Sequence, residues 1–508
     1  MQNNWSNYLG ELISEKRYLV GAVTAILFFK IFKNWLEKIL FFKNVPGPIP
    51  LPVLGNLHNV MMKGFVESDY QLIKKYGRIV GYFEGSTPVI LTTDFQLIKN
   101  VLIKDFNYFI NRRVIESLAL KPADKFLTNL KDEEWKNART IVTTAFSSGK
   151  IKLMSKHIAD CSEALVNLLD NIPDEERKTD MNRFFSGYSL DVISSCCFGI
   201  STNSASDPEN EMLIHLSRIF QFFTSGNLKV MLAFFFPKFS KFFVENNLIE
   251  FFPGTSMNFF KNFIDKIIES RKNKQEKRND FIQAMLEHEE IKSILENEMK
   301  NSENTSEDSK FFKWNKNLKK TLTNEEILAQ SMLFMFAGYE TTSQTLCFIA
   351  YNLAMNPSCQ DKLFDEIETI LKIIIREKFD YDSVIEMKFM DQVINETLRM
   401  YPGAVRFDRV ARQDYEFNGI KIKKGTVVTV PVRSIHYDAE IYPDPYEFKP
   451  ERFDGKGKKN RENVCFLPFG AGPRSCLGMR FAIIEIKLLL SLILSKYRFE
   501  KFEKTPVS

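Results

Sequence analysis

One uninterrupted helical run, opening at Thr323 and closing before Pro357, constrains this fold more than any other feature. Thr323 with Glu326 three residues on forms a capping box, and Pro357 prevents continuation beyond Asn356. At ~1.5 Å per residue the helix is roughly 50 Å long, enough to cross a whole domain. Elsewhere a short helix pattern at Gln71–Lys75 precedes two strands, Ile79–Phe83 and Val89–Thr92, joined by the turn signal Gly85-Ser86-Thr87-Pro88. Helical stretches follow to Leu286, interrupted around Ser201–Pro208, at Phe236-Pro237 and at Pro253-Gly254. A second strand region spans Tyr415–Val432, with Asn418-Gly419 as its hairpin turn. The expectation is a mainly α fold with small β-sheets. Residues 59–508 form one large domain, within which 287–320, charged and poor in apolar periodicity, is a solvated loop.

Composition excludes several classes. Of 508 residues, 44% are hydrophobic and 26% charged, the balance of a globular chain. Lys plus Arg exceed Asp plus Glu by 69 − 64 = 5, too mild and dispersed a surplus for a nucleic-acid partner. The seven cysteines include no Cys-x-x-Cys pair, which argues against a disulfide framework and for a reducing compartment. The five histidines (His58, His157, His215, His288 and His436) are scattered, so no zinc or non-haem iron site built mainly from histidine is visible. Phenylalanine is abundant, with 47 residues, and Glu211–Phe263 holds most of the excess. Rings at that density either fill a core or line a greasy access route or membrane contact.

The N-terminus reads as an address. Tyr18–Phe32 is apolar apart from Lys30, with Lys16 and Arg17 before it and Lys33, Lys38 and Lys43 after. It is shorter than the ~20 residues that cross a bilayer, but snorkelling of Lys30 and Lys33 would extend it to Trp35 and Leu36. Phe28, Phe29 and Lys30 stand where a cleavable signal would carry small residues. The basic flank that follows puts the rest of the chain in the cytosol. Residues 1–44 are therefore expected to be an uncleaved single-pass membrane anchor with its flank, a packed amphipathic helix being the alternative. Residues 45–58, with Pro46, Pro48, Pro50 and Pro52, form a stiff extended strap.

The richest chemistry lies in Phe469-Gly470-Ala471-Gly472-Pro473-Arg474-Ser475-Cys476-Leu477-Gly478, which runs into a helix ending near Ser495. Gly470 and Gly472 permit backbone conformations and close approaches that other residues resist. Cys476 stands where the helix begins, and free N–H groups there stabilise a thiolate. On this pattern alone an inert buried thiol is the commoner outcome. A dinucleotide site is excluded, because the preceding strand and the third glycine are missing.

The loop resembles Phe-x-x-Gly-x-Arg-x-Cys-x-Gly, the haem-ligand signature of the cytochrome P450 family, whose known property is thiolate ligation of haem iron. By that resemblance Cys476 is the axial ligand of a haem b iron and Arg474 meets a haem propionate, while Phe469, Gly470 and Gly472 shape the loop against the cofactor. Further motifs agree, in the family's order. Glu396 and Arg399, three apart on a helix, share a face, and Arg452 in Pro450-Glu451-Arg452-Phe453 would complete the family's structural Glu–Arg–Arg cluster. Ala337-Gly338-Tyr339-Glu340-Thr341-Thr342 resembles the oxygen-activation motif. Ala337 and Gly338 keep the helix thin, and Thr341, four residues from one and three from the other, is expected over the same opening. An alcohol beside an acid relays protons through water, which gives Glu340 and Thr341 the catalytic roles; taken alone, the small residues read equally as a helix contact. Trp135 and Arg139, four apart on one helix face, suit a propionate carboxylate. Arg409 follows the Glu-x-x-Arg helix at the distance of another propionate partner.

The resemblance spans about Pro46 to Phe502. It implies the cytochrome P450 fold and a haem-thiolate monooxygenase that inserts one atom of O2 into a lipophilic organic substrate and reduces the other to water. No flavin or nicotinamide site is visible, so electrons are expected from a separate NADPH-cytochrome P450 reductase. Lys456, Lys458, Lys459, Arg461 and Arg480, near the Cys loop in sequence, either dock that partner or merely solvate the surface. The anchor implies membrane lipid as a further partner, at the endoplasmic reticulum, with the catalytic domain in the cytosol. Asn107–Asp132, Glu211–Phe236 and Gly403–Phe407 are expected to line the pocket, where Arg406 would favour an acidic substrate unless it turns outward. The family continues past its Cys-loop helix with a β hairpin. Here the chain stops at Ser508 after a strand-like Tyr497–Phe502, which implies a shortened hairpin and a more open pocket. Two rival readings are a reductase-independent haem-thiolate isomerase or dehydratase, whose kind tends to lose the acid–alcohol pair, and a non-catalytic haem binder.

Overall fold

The computed structural model describes residues 2–173, 178–221, 229, 232–233, 236–246, 248–273, 278, 280–286, 321–373, 379–455 and 464–505, with side chains from residue 20 onward except 238 and 373. The expected solvated loop, 287–320, lies outside these residues. So do Phe222, Phe223, Phe234 and Phe235 of the Phe-rich stretch, and Lys456, Lys458, Lys459 and Arg461.

The N-terminal run forms α1 (Gln2–Phe41), and the prolines that follow keep the chain out of helix until α2 (Leu57–Tyr76). That helix is longer than the Gln71–Lys75 pattern and takes in Leu57 and His58, the last residues of the expected strap. The strap is docked rather than loose. Trp35 donates to the Pro50 carbonyl at 2.7 Å and Lys38 to that of Gly85 at 2.8 Å, while Phe41 and Phe42 pack on Phe83. Among the described residues no helix is long and apolar enough to cross a membrane. What α1 does show is exposed apolar side chains at Ile26, Leu27, Phe28 and Phe29, four consecutive positions that cover every side of a helix.

Two strands follow, β1 (Ile79–Glu84) and β2 (Thr87–Thr92), then the helices α3 (Asp132–Thr143), α4 (Ser148–Asp170) and α5 (Met181–Ile193). The long helix is α6 (Asn324–Met355), opened by the anticipated box: Thr323 N–H donates to Glu326 at 2.7 Å, and Glu326 N–H to the Thr323 hydroxyl at 3.2 Å. It packs along α5 and runs through the main core, where Phe184, Phe185, Phe198, Phe260 and Phe281 are buried. Phe239 and Phe242 are exposed, so the described part of the Phe-rich stretch divides between core and surface.

After α7 (Lys388–Met400) come β3 (Arg406–Val410), β4 (Tyr415–Phe417), β5 (Ile420–Ile422), β6 (Val427–Pro431), α8 (Val432–His436) and finally α9 (Met479–Leu494). The expected Tyr415–Val432 region divides in two. Asn418 and Gly419, both at positive φ, turn the β4–β5 hairpin, whereas β6 leaves it to lie between β2 (parallel) and β3 (antiparallel). The larger sheet therefore runs β1-β2-β6-β3. Residues 497–502 are not a strand. Their backbone is held by a side chain instead, Gln360 bonding both the N–H and the carbonyl of Phe499 at 2.8 and 3.0 Å.

Candidate active site

The Cys loop folds back on itself because its glycines reach conformations that other residues resist. Gly470 and Gly472 have φ of 72° and 70°, and a Cβ on Gly472 would stand 1.9 Å from the Leu102 carbonyl oxygen. Gly472 thus presses on the protein's own backbone. Cys476 N–H donates to Phe469 O at 2.8 Å, which closes the loop. Of the seven cysteines Cys476 is the exposed one. Enclosing protein nevertheless desolvates its thiol and pushes the pKa up, against the pull of the Gly478 and Met479 N–H groups and of Arg139 and Arg112. A thiol on the wall of an internal recess meets both conditions.

Four arginines gather beside it. Arg474 is buried, donating to the carbonyls of Ile110, Leu127 and Leu130 at 2.9, 3.3 and 2.8 Å, with the Trp135 ring 4.1 Å beneath its guanidinium. Burial, and then the charges of Arg112, Arg409 and Arg139, pull its pKa down to about 8. Arg409 falls to about 9 through burial and Arg112. Among the described residues, Arg112 and Arg409 each keep a buried Nε with no partner. Asp408 and Asp132 are the carboxylates acting on this group, and both are engaged elsewhere, Asp408 with Arg113 at 3.0 Å and Asp132 with Arg412 at 3.6 Å. Guanidinium groups hold their protons, so such a cluster fits an anion carrying more than one charge. Among the described residues no three His, Cys, Asp or Glu side chains converge; a metal at Cys476 would bring its other ligands with it. The two propionates and the macrocycle of haem b meet both requirements. Trp135, Arg139, Arg409 and Arg474 were all legible as candidates. Arg112 was missed, because nothing in the Arg112-Arg113 doublet says which of the two faces the Cys loop.

The distal motif is brought together only in part. Ala337, Thr341 and Gln344 form one exposed stripe along the middle of α6. Gly338 does not share it, since a Cβ there would meet Ile193 of α5 at 2.5 Å, so this glycine serves helix packing. The Thr341 hydroxyl donates to Ala337 O at 2.7 Å. Glu340, about 100° round the helix, accepts from Gln344, and burial raises its carboxyl. A strap ties this helix to the Cys loop. Gln330 bonds Leu127 N–H and Lys125 O at 3.0 and 2.6 Å, and Arg474 holds the next carbonyls of the same segment.

The Glu–Arg–Arg cluster forms as expected. Arg399 makes two 2.8 Å bonds to Glu396, both fully buried, and Arg452 approaches the same carboxylate at 3.2 Å. Arg406 does not face the site. Alternation along β3 puts Arg406 and Asp408 on one face and Phe407 and Arg409 on the other. Arg406 is consumed by Asp69 (2.7 Å), Glu84 (3.1 Å) and Tyr82 (2.6 Å), over the Phe65 ring. Despite its burial, Glu84 is held down to about 2 by Arg113 and Arg406. Phe407, on the opposite face, lies against Gly470. Arg480 is exposed and donates to the Ser148 hydroxyl at 3.1 Å.

Comparison with known proteins finds relatives along nearly the whole chain. A family profile described as Cytochrome P450 matches residues 45–508. The chain is similar to Cytochrome P450 3A31 of Mesocricetus auratus and to Cytochrome P450 3A11 of Mus musculus, in each case 37% identical over 503 residues, 98% of this chain and 94% of the relative. It is 36% identical to Cytochrome P450 3A29 of Sus scrofa over 495 residues, 96% of this chain and 90% of that one.

Proposed function

The chain belongs to the cytochrome P450 family, and from that premise we propose a membrane-attached enzyme that oxidises a lipophilic substrate with electrons from a separate NADPH-cytochrome P450 reductase. It is an oxidoreductase, a haem monooxygenase with thiolate-ligated haem b as cofactor. When bound, the haem supplies the reductive activation of O2, one atom of which enters the substrate while the other leaves as water. Cys476 ligates the iron. Arg112, Arg139, Arg409 and Arg474 hold the propionates, with Trp135 as the platform under Arg474 and Phe469, Gly470 and Gly472 fixing the loop. The observation that carries this reading is the excess of buried guanidinium charge beside the exposed Cys476 thiol.

Thr341 holds a proton at Oγ1 and Glu340 supplies it. Burial raises the Glu340 carboxyl, which favours keeping a proton to give. The two side chains diverge around the helix, so transfer between them passes through water. Rotation of the Thr341 hydroxyl away from Ala337 O frees it for that exchange. An isomerase needs no such pair, and its presence here favours oxygen insertion.

Membrane attachment through α1 is supported by Ile26, Leu27, Phe28 and Phe29, exposed apolar side chains on successive sides of one helical turn. We place that membrane at the endoplasmic reticulum with the catalytic body in the cytosol, residues 1–44 anchoring, 45–58 bridging and 59–508 catalysing. Exposed Ile49, Met61, Met62, Phe239 and Phe242 add apolar surface beyond the anchor.

The carbon-monoxide difference spectrum of the reduced protein tests the haem assignment. A strongly red-shifted Soret band, absent from Cys476→Ala, is expected; a band unchanged in the variant overturns Cys476 as ligand. With reductase and NADPH, Thr341→Ala should consume NADPH without matching product. Reductase-independent turnover of a hydroperoxide, unaffected by that substitution, would establish the isomerase instead.

A further inference from the structure

His436 takes part in neither haem binding nor proton delivery as described above, yet it is fully buried where two frameworks meet. On one side stands the Glu396–Arg399–Arg452 cluster; on the other, the segment entering the Cys loop. We propose that His436 is a positioning residue that fixes the Cys476 loop to this cluster through a single ring tautomer. The inference rests on Cys476 being the thiolate ligand.

The hydrogen bonds define the tautomer. Nδ1 lies 3.1 Å from the Arg399 carbonyl, which can only accept, so Nδ1 carries the proton. Nε2 is 2.9 Å from the Leu467 N–H, which can only donate, so Nε2 is bare. Arg399 returns a bond from Nη1 to the His436 carbonyl at 3.0 Å. The ring stacks on Phe466, centroids 5.3 Å apart. From Leu467 the connection runs through the loop backbone: Gly470 N–H donates to Leu467 O at 3.1 Å, and Cys476 N–H to Phe469 O at 2.8 Å. Tyr442 adds a second hold, its hydroxyl donating to Cys465 O at 3.1 Å.

No other neutral side chain of this size offers a donor and an acceptor on opposite edges of one rigid ring. Protonation would turn both nitrogens into donors and lose the Leu467 bond. Burial, with the Arg399 charge, lowers the ring pKa to about 3, although the Arg399 carbonyl raises it. The neutral form therefore persists across the working range.

Two substitutions in the full-length holoenzyme separate the two bonds. In His436→Gln the amide oxygen takes up roughly the place of Nε2 and still accepts from Leu467. In His436→Asn the amide nitrogen takes up roughly the place of Nδ1, keeping the Arg399 bond and losing Leu467's. The quantity followed is the rate at which the thiolate-ligated carbon-monoxide band converts to one lacking the thiolate in mild denaturant, with total haem and the helical melting curve as controls. Loss of one buried hydrogen bond predicts about tenfold faster conversion for His436→Asn. His436→Gln, which severs the same bridge at Arg399 instead, should accelerate conversion by a similar factor. Conversion of either variant at the wild-type rate overturns the proposal, as does parallel loss of haem and helix. If wild type itself shows no thiolate band, it is the Cys476 assignment that fails.

Discussion

Arg399 and Arg474 are both buried arginines with their hydrogen-bonding capacity largely used, and the protein treats their charges in opposite ways. Arg399 meets a carboxylate along one edge, and the carbonyls of His436, Pro445 and Glu447 take its other donors. Arg474 has three carbonyls and an indole face, but the charges nearest to it are those of Arg112, Arg409 and Arg139. Satisfying donors is therefore different from neutralising charge. Where the protein supplies its own anion, the cluster is structural, as with Arg399 and again where Arg406 meets Asp69 and Glu84. Where it supplies cations in excess of carboxylates, the cluster suits an anionic ligand.

The contrast is open to direct attack. Glu396→Ala leaves Arg399 and Arg452 facing each other without a carboxylate, and a buried charge stripped of its partner costs about 3–5 kcal/mol. Denaturant unfolding should show that loss whether or not haem is present. A change below ~1 kcal/mol would mean that water reaches the cluster and that it braces nothing. The second cluster should answer with the opposite sign. Arg409→Met removes a buried cation on which the charge of Arg112 acts more strongly than that of Asp408, so the haem-free protein should be no less stable than wild type. Haem retention should fall about 10–100-fold, the equivalent of losing one charge-assisted hydrogen bond of ~1.5–3 kcal/mol. Destabilisation of the haem-free protein as deep as that of Glu396→Ala would erase the distinction between the two clusters.

What could be read from sequence divides along the same line. The long helix was legible because its signals are local: a capping box three residues wide at Thr323 and a proline at Pro357. The Cys loop was legible for the same reason, its glycines and helix start lying within ten residues of one another in space and sequence alike. Which cation joins which cluster was not. Arg112 and Arg113 are adjacent, yet one reaches the carbonyl of Arg474 and the other Glu84. Arg406 and Arg409 are likewise parted by the alternation of β3, a strand whose Arg-Phe-Asp-Arg-Val sequence looks like polar loop until its long-range partners are in place. Gly338 carried equal signal for a thin helix and for a helix contact, and only the position of Ile193 decides. His436 showed no pattern at all, since its two partners come from Arg399 on α7 and Leu467 in the Cys loop.

Carboxyl groups extend the comparison at smaller amplitude. Glu485, fully buried on α9, bonds the Thr342 hydroxyl, and among the described residues no cation acts on it and its Oε1 has no partner. Burial raises its pKa well above the ordinary 4.5, the Thr342 bond offsetting only part of the rise. Glu396 has two guanidinium groups beside it; Glu485 must keep a proton instead. Because the folded pKa lies above the unfolded one, the acid favours the unfolded state increasingly as pH climbs past 4.5 toward the folded value. Glu485→Gln, which keeps the shape without the titration, should thus gain stability relative to wild type by about 1 kcal/mol between pH 5 and pH 6. Unfolding curves at those two pH values test this directly. Parallel behaviour of variant and wild type would mean that Glu485 is ionised in the fold and neutralised by a charge, which would move it from the company of Arg474 to that of Arg399.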